Sequence, residues 1–336
     1  MKSDVGFGII GCGTMGARHA ECINDANGTA LIAMCDTFQQ NADKVAKAFN
    51  AIVVPDAETL VKHPEVEAVL VALPSQLHAQ YGILAAEAGK HVLVEKPIDF
   101  SLAQAEKLIK TCHECKVVLS VVSQHRFHAD VLKLKQAIEA GRLGRLILCS
   151  AQSEWNRDQA YYEKAPGRGL NDPAEGGVLL NQAVHYIDLL LWLCGPVARV
   201  SAYCATLTHK IAVEDVGVVA VQFVNGALGT ITVSTSISPQ QPEKLEIHGE
   251  RGTVIIESGK ITVWDIEGEV KESPASPQPQ EDFKPNLAPV RRQLEDFANA
   301  IRLSKPPLVT GEQALAVLAT IHAGYRSADT LRSETV

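Results

Sequence analysis

Three patterns in the sequence predict an α/β fold in two parts: a parallel sheet flanked by helices, then an α+β domain with an open, mostly antiparallel sheet. Short apolar runs alternate with helical stretches up to residue 122, as in a parallel sheet with helical crossovers. From residue 197 onward strand-like runs follow one another directly, with Asn225-Gly226 and Ser258-Gly259 as hairpin turns. Between them lies a strongly apolar segment, residues 178–193, which is expected to form one buried helix. The domains are expected to span residues 1–123 and 124–336.

A chain of 336 residues suits two domains. Hydrophobic residues make up 46% and charged residues 21%, ordinary values for a globular protein that needs no disulfides. The net charge of −8 argues against nucleic acid or an anionic membrane as a partner. No apolar run reaches about 18 residues, so no membrane-spanning helix is expected. The first residues lack the apolar length of a signal peptide. Eight cysteines, mostly inside apolar segments, read as packed thiols and point to a reducing cytoplasm.

The first strand, residues 5–10, is continuously apolar and runs into Gly11-Cys12-Gly13-Thr14-Met15-Gly16, which opens a helix. Such a glycine pattern is weak alone and carries weight between a buried strand and a helix. Gly11 allows the tight turn, Gly13 lets a pyrophosphate approach the backbone, and Gly16 lets helix and strand pack closely. The first turn, with Thr14 and Met15, offers free N–H groups and a positive dipole end to phosphates. The second strand, residues 31–35, ends in Asp36, twenty residues after Gly16. A carboxylate there grips ribose hydroxyls and repels a 2′-phosphate, so a Rossmann domain binding NAD rather than NADP is expected. Cys12, inside the loop, is expected to be open to oxidation or alkylation.

Helices over 39–49 and from 56, with a short strand at 51–54, lead to a fourth strand over 66–73. The helix over 76–88 starts where that strand stops. Leu73, Ser75 and His78 therefore lie at the carboxyl edge of the sheet, where doubly wound folds bind ligands; His78 as a plain surface residue is the alternative. Strand 91–94 ends in Glu95-Lys96-Pro97, which aims Lys96 at the same crevice; a solvated lysine before a turn is the bland alternative. A capping box at 101–104 opens a helix to about residue 115, and 117–122 is the sixth strand. Cys112-His113-Glu114-Cys115 looks like half of a metal site, but no second ligand pair follows at suitable spacing, so no metal is expected.

The second part opens with a helix over 129–140, a turn and a strand over 145–153. Residues 154–175 form a long polar and aromatic loop, and loops of that length are usually functional. In the apolar helix that follows, Asn181, His185 and Asp188 share one face. Buried polar groups are costly, so His185 is either a core histidine satisfied by Asp188 or a functional one. Gly195-Pro196 stops the helix. Strands are expected at 200–208, 215–224, 227–236, 244–249, 253–257 and 260–264, then a loose segment at 273–289 and closing helices over 290–303 and 312–330. Residues 218–223 are apolar on both faces, which predicts a partner sheet and a homodimer or homotetramer.

Lys96 and His185 are what hydride transfer from a carbinol requires: an imidazole to take the hydroxyl proton and an ammonium to favour alkoxide character. The combination of GCGTMG, Glu95-Lys96-Pro97 and GGVLLNQAVHYIDLL over 176–190 resembles the Gfo/Idh/MocA oxidoreductase family along nearly the whole chain. The resemblance implies a Rossmann domain, an open-faced sheet domain that packs through its sheet, a catalytic pair of Lys96 and His185, and a cis Lys96–Pro97 bond. Asn181 stands where the inositol-dehydrogenase pattern has Asp, and is expected to orient substrate or His185 in the catalytic group. Asn181-Gln182 and the 157–162 stretch look more like the branch that oxidises nucleotide-linked N-acetyl-hexuronic acids at C3′. On that resemblance Arg168 contacts the nicotinamide, and Glu95 and His78 line its ribose. Arg157, Gln159, Tyr161, Tyr162 and Gln182 are expected to contact the sugar. The expected activity is an NAD-dependent sugar dehydrogenase. An inositol or free-sugar dehydrogenase, a glycosidase or epimerase with resident NAD, and a non-enzymatic NAD-sensing regulator are the alternatives.

Overall fold

A computed structural model describes residues 4–164, 169, 176–271 and 286–336. The chain divides into two compact units, Met1–Gln124 with Asn286–Leu315, and His125–Pro285 with Ala316–Val336.

The first unit is a six-stranded sheet with every pair parallel: β1 (Val5–Ile10), β2 (Thr29–Cys35), β3 (Ile52–Val53), β4 (Ala68–Val71), β5 (His91–Val94) and β6 (Leu119–Val121), in the order β3-β2-β1-β4-β5-β6. Helices α1 (Thr14–Asp25), α2 (Gln39–Phe49), α3 (Ala57–Lys62), α4 (His78–Glu87) and α5 (Leu102–Glu114) connect them. Every residue of β1 is buried, as in a sheet covered on both faces. Strand order reverses between β1 and β4, so the end of β1 lies at the switch point where such sheets bind ligands.

The helix Ala288–Leu303, expected in the second domain, belongs to the first. Leu294, Phe297 and Ala298 are fully buried in one core with Phe7 and Ile23, and the Phe7 and Phe297 rings lie 6.1 Å apart. An amphipathic helix docks where apolar surface is left open, and sequence order does not say where that is.

In the second unit α6 (Ala129–Glu139) precedes β7 (Leu146–Glu154). The stretch expected to be a loop contains a short helix, α7 (Gln159–Glu163), because the Asp158 carboxylate caps it by accepting from Tyr161 N at 2.9 Å. The sheet continues with β8 (Val197–Ala205), β9 (Val216–Phe223), β10 (Leu228–Ser234), β11 (Lys244–Gly249), β12 (Gly252–Glu257), β13 (Lys260–Ile266) and β14 (Glu334–Thr335). Its order is β13-β12-β11-β7-β10-β9-β8-β14, and among the described strands of this sheet only β7 and β10 pair in parallel. Val219, Val221, Phe223, Ile231 and Val233 point inward, whereas Leu148, Tyr203, Val218 and Leu228 stand exposed.

The apolar segment over 178–193 is not one helix. It forms α8 (Val178–Asn181) and α9 (Val184–Cys194), with Gln182 and Ala183 turning between them. Ala183 N donates to Val178 O at 2.9 Å, a five-residue span that widens the turn as a π-bulge does. Neither Pro nor Gly marks the break, so hydrophobic periodicity alone could not locate it.

Candidate active site

In the first unit the glycine turn fits a dinucleotide. Gly11 has φ +96°, and a side chain there would strike Ala72 O and the Leu73 side chain. A Cβ on Gly16 would lie 1.9 Å from Gly11 O, so only glycine lets α1 sit this close to β1. A Cβ on Gly13 would meet nothing within 4 Å, leaving open space where a pyrophosphate would lie. No side chain caps the N-terminus of α1, and Gly13, Thr14 and Met15 are exposed. The Asp36 carboxylate accepts from Cys12 N and from Phe38 N, both at 2.7 Å, which fixes it beside the glycine turn with lone pairs left for hydroxyl donors. Cys12 does not fit the expectation of a reactive thiol. It is buried, and burial, then the negative charge of Asp36, pushes the thiol up to about 12.

The turn carrying Lys96 is pinned from two sides. Glu95 is buried, meets His19 Nε2 at 2.7 Å and accepts from Lys96 N at 3.0 Å. Burial raises its carboxyl, but the His19 hydrogen bond and the charges of His19 and Lys96 hold it below the usual range. His78, expected at the nicotinamide ribose, is buried, and its two ring nitrogens face Pro97 O at 2.7 Å and Leu73 O at 2.9 Å. It ties the end of β4 to the residue after Lys96, and burial lowers its imidazole. Ser75 starts a 3-10 turn and is half-buried, and Lys96 is half-buried at the end of β5 before a cis bond to Pro97. Cys112 faces the interior whereas Cys115 is exposed, and His113 pairs with Glu312 at 2.7 Å, so the tetrad does not converge on one point.

In the second unit Asp188 is committed elsewhere than His185. Its carboxylate takes two hydrogen bonds from the buried Arg126, at 2.8 and 2.6 Å. Arg126 lies in the single-turn helix Gln124–Phe127, which also brings the His125 ring to 4.8 Å from the His185 ring. Neither residue was singled out by sequence, because both partners are some sixty positions from α9; Asp188, a charged residue amid apolar neighbours, was the one available signal. Asn181 donates to Gly176 O at 2.7 Å across the widened turn. Gly177 is required there too, since a Cβ would lie 2.1 Å from the Glu214 carboxylate. That carboxylate accepts from Leu179 N and the Tyr325 hydroxyl, and burial pushes it up.

The expected sugar contacts separate into two groups. Gln182 donates to the Tyr161 hydroxyl at 3.0 Å, and Arg157 lies over the Tyr161 and Trp155 rings, so these three side chains gather. Gln159 instead holds both backbone groups of Lys210, and Tyr162 is buried with its hydroxyl 2.7 Å from that of Thr235. Both owe their place to the backbone demands of α7 and its neighbours rather than to an open surface. His209, also not foreseen, links Arg157 O to the buried Asp215. Arg168 lies outside the described residues.

Residues 5–123 match the model of an oxidoreductase family with an NAD-binding Rossmann fold, and residues 131–255 match the GFO/IDH/MocA C-terminal domain. A solved WlbA dehydrogenase from Bordetella pertussis, in complex with NADH and UDP-GlcNAcA, is 33% identical, with 99% of each chain covered and a TM-score of 0.87. The chain belongs to the GFO/IDH/MocA oxidoreductase family. Its first unit is the family's NAD-binding Rossmann domain. WlbA from Chromobacterium violaceum, also with NADH and UDP-GlcNAcA, is 29% identical, covering 100% of this chain and 97% of that one at a TM-score of 0.87. The myo-inositol 2-dehydrogenase of Thermotoga maritima is 26% identical over 97% of both chains. Among the described residues no helix is long and apolar enough to cross a membrane, and no cluster of His, Cys, Asp or Glu is arranged to hold a metal ion.

Proposed function

We propose that this family member is an NAD-dependent dehydrogenase of a sugar carbinol, with C3 of a nucleotide-linked N-acetyl-hexuronate as the foremost substrate. The observation that carries the reading is the 33% identity, over 99% of the chain, to a dehydrogenase whose structure holds NADH and UDP-GlcNAcA. When bound, NAD supplies the hydride acceptor. Gly11, Gly13, Thr14, Met15 and Gly16 cradle its pyrophosphate, and Asp36 receives the adenosine ribose and disfavours NADP. Leu73 and Ser75 border the site, and His78 and Glu95 act by holding the Lys96 turn. His185 takes the proton of the sugar hydroxyl, and the Lys96 ammonium stabilises the alkoxide character that develops. Asn181 orients the substrate from the widened turn, and Gln182, Tyr161 and Arg157 contact the sugar nucleotide, the guanidinium suiting a carboxylate or phosphate.

The similarity to myo-inositol 2-dehydrogenase favours a free cyclic polyol as the second reading. Asn181, where that pattern has an acid, argues against it. A spectrophotometric screen of NAD and NADP reduction against UDP-sugars, free hexoses, inositols and uronic acids decides between them. Turnover of UDP-GlcNAcA that survives both Lys96→Ala and His185→Ala would overturn the catalytic assignment. Release of NADH in step with product excludes a resident cofactor, and tight NAD binding without turnover on any sugar would revive the sensor reading. The exposed apolar face carrying Leu148, Tyr203, Val218 and Leu228 supports a homodimer or homotetramer joined through this sheet, which sedimentation analysis tests. Eight free cysteines support a reducing, cytoplasmic setting.

A further inference from the structure

Beyond the proposed pair, the second unit places another imidazole against His185. The rings of His125 and His185 have centroids 4.8 Å apart and planes tilted by 53°. His125 also lies 5.4 Å from the ring of His128 and 5.8 Å from that of Tyr186. Its position is not loose: the next residue, Arg126, is bound by two hydrogen bonds to Asp188, three residues after His185. The ion pair therefore fixes the register of the single-turn helix Gln124–Phe127 on α9, and with it the contact between the two rings. Both rings are half-buried, where charges are screened less than in water.

We propose that His125 is a positioning residue for His185: it holds the ring in place and discourages it from carrying a proton before the sugar hydroxyl delivers one. Two imidazoles in contact take up protons as a coupled pair, because the first charge opposes the second. Several charged and titratable groups surround the pair. Arg126 and Asp188 neutralise each other beside the pair. On α9 itself Tyr186 is deeply buried, and burial, then the negative charge of Glu243, pushes its hydroxyl well up, so it stays neutral. From α6, Lys135 donates to Trp192 O at the far end of α9. From β7, Cys149 meets Cys194 at that same end. α8 carries no titratable side chain, and the His128 ring, 5.4 Å from that of His125, is a further imidazole in the cluster.

The inference rests on His185 being the proton acceptor, but its test does not require turnover. The full chain labelled with 15N-histidine is titrated by NMR as wild type, His125→Phe, His125→Gln and His185→Asn. In the wild type the two rings share two macroscopic steps. In His125→Phe and His125→Gln, His185 titrates in one step at a pH higher by roughly one unit. In His185→Asn the reciprocal rise appears at His125, and this arm decides the matter if the His125 variants fail to fold. With UDP-GlcNAcA as substrate, the acid limb of kcat/KM in His125→Phe moves up by the same interval, about a five-fold loss at the wild-type midpoint. A His185 titration unchanged by either His125 variant, or a His125 titration unchanged in His185→Asn, overturns the inference and leaves the catalytic reading standing. Undiminished turnover in His185→Asn removes the catalytic reading and leaves the coupling of the rings to be judged by NMR alone.

Discussion

Replacing Arg126 by Met removes one half of the ion pair that anchors α9. The side chains of Arg126 and Asp188 are 1% and 5% exposed, so water cannot take over the role of the missing partner. Two hydrogen bonds at 2.8 and 2.6 Å are lost, and the Asp188 carboxylate is left buried and uncompensated. Breaking a buried pair from one side costs about 3–5 kcal/mol. With a urea m-value of about 2–3 kcal/mol/M, a loss of about 4 kcal/mol lowers the midpoint by roughly 1.3–2 M. Tryptophan fluorescence reads this unit alone, because all three tryptophans, Trp155, Trp192 and Trp264, lie within it, and Arg126 sits 5.2 Å over the Trp192 ring. The double variant Arg126→Met with Asp188→Leu removes both charges and recovers most of the loss. A midpoint within about 0.3 M of wild type for Arg126→Met, or a double variant whose loss is the sum of the two singles, would refute the reasoning.

Gly13→Ala leaves the melting temperature nearly unchanged, since its Cβ meets open space, yet weakens NAD binding at least about ten-fold by calorimetry, because the methyl occupies the pyrophosphate's approach. Gly16→Ala, whose Cβ would lie 1.9 Å from Gly11 O, lowers the melting temperature itself. Burial alone would raise the Asp215 carboxyl, but the N–H groups of Leu207, His209 and Thr208 and the His209 ring hold it well below the ordinary range. Its contribution is full above the unfolded carboxylate's pKa of about 4 and fades as pH falls toward the folded value. Asp215→Asn is therefore destabilising in urea melts at pH 7, and the difference from wild type narrows by pH 3. Among the cysteines Cys115 is the exposed one, while burial pushes Cys12 and Cys112 up to about 12. Mass spectrometry after brief iodoacetamide treatment finds Cys115 alkylated first and Cys12 untouched; early loss of Cys12 would contradict the packing of the glycine turn.

The dinucleotide half of the site was legible because its determinants are local. A buried strand, a glycine turn and the acid at the end of the next strand sit within about thirty residues, and each has a short-range steric or electrostatic reason. The place of Lys96, two residues past the end of β5, was legible for the same reason. The surroundings of His185 were not. Asp188 could be placed on the same face as His185 by counting, but whether it serves His185 depends on Arg126, 62 positions away. The widened turn at Ala183 lies in a mostly apolar segment with neither Pro nor Gly to mark it. Gln159 and Tyr162 were singled out as part of the long loop and its resemblance, and the fold uses Gln159 to hold the backbone of Lys210 and the Tyr162 hydroxyl to meet that of Thr235. The two-residue β14 is too short to have a period and exists because the edge of β8 offers Val200 and Arg199 as partners.

The helix Ala288–Leu303, through Leu294, Phe297 and Ala298, completes a core whose other buried members all precede residue 124. During synthesis the sheet of the first unit leaves the ribosome lacking that helix. At roughly 5–20 residues per second, the missing helix follows about 9–35 seconds later. For that interval an apolar strip beside Phe7 stays open to chaperones or to neighbouring nascent chains. Cutting the gene after residue 124 would make the condition permanent, so the nucleotide-binding half cannot be borrowed as a module without its late helix.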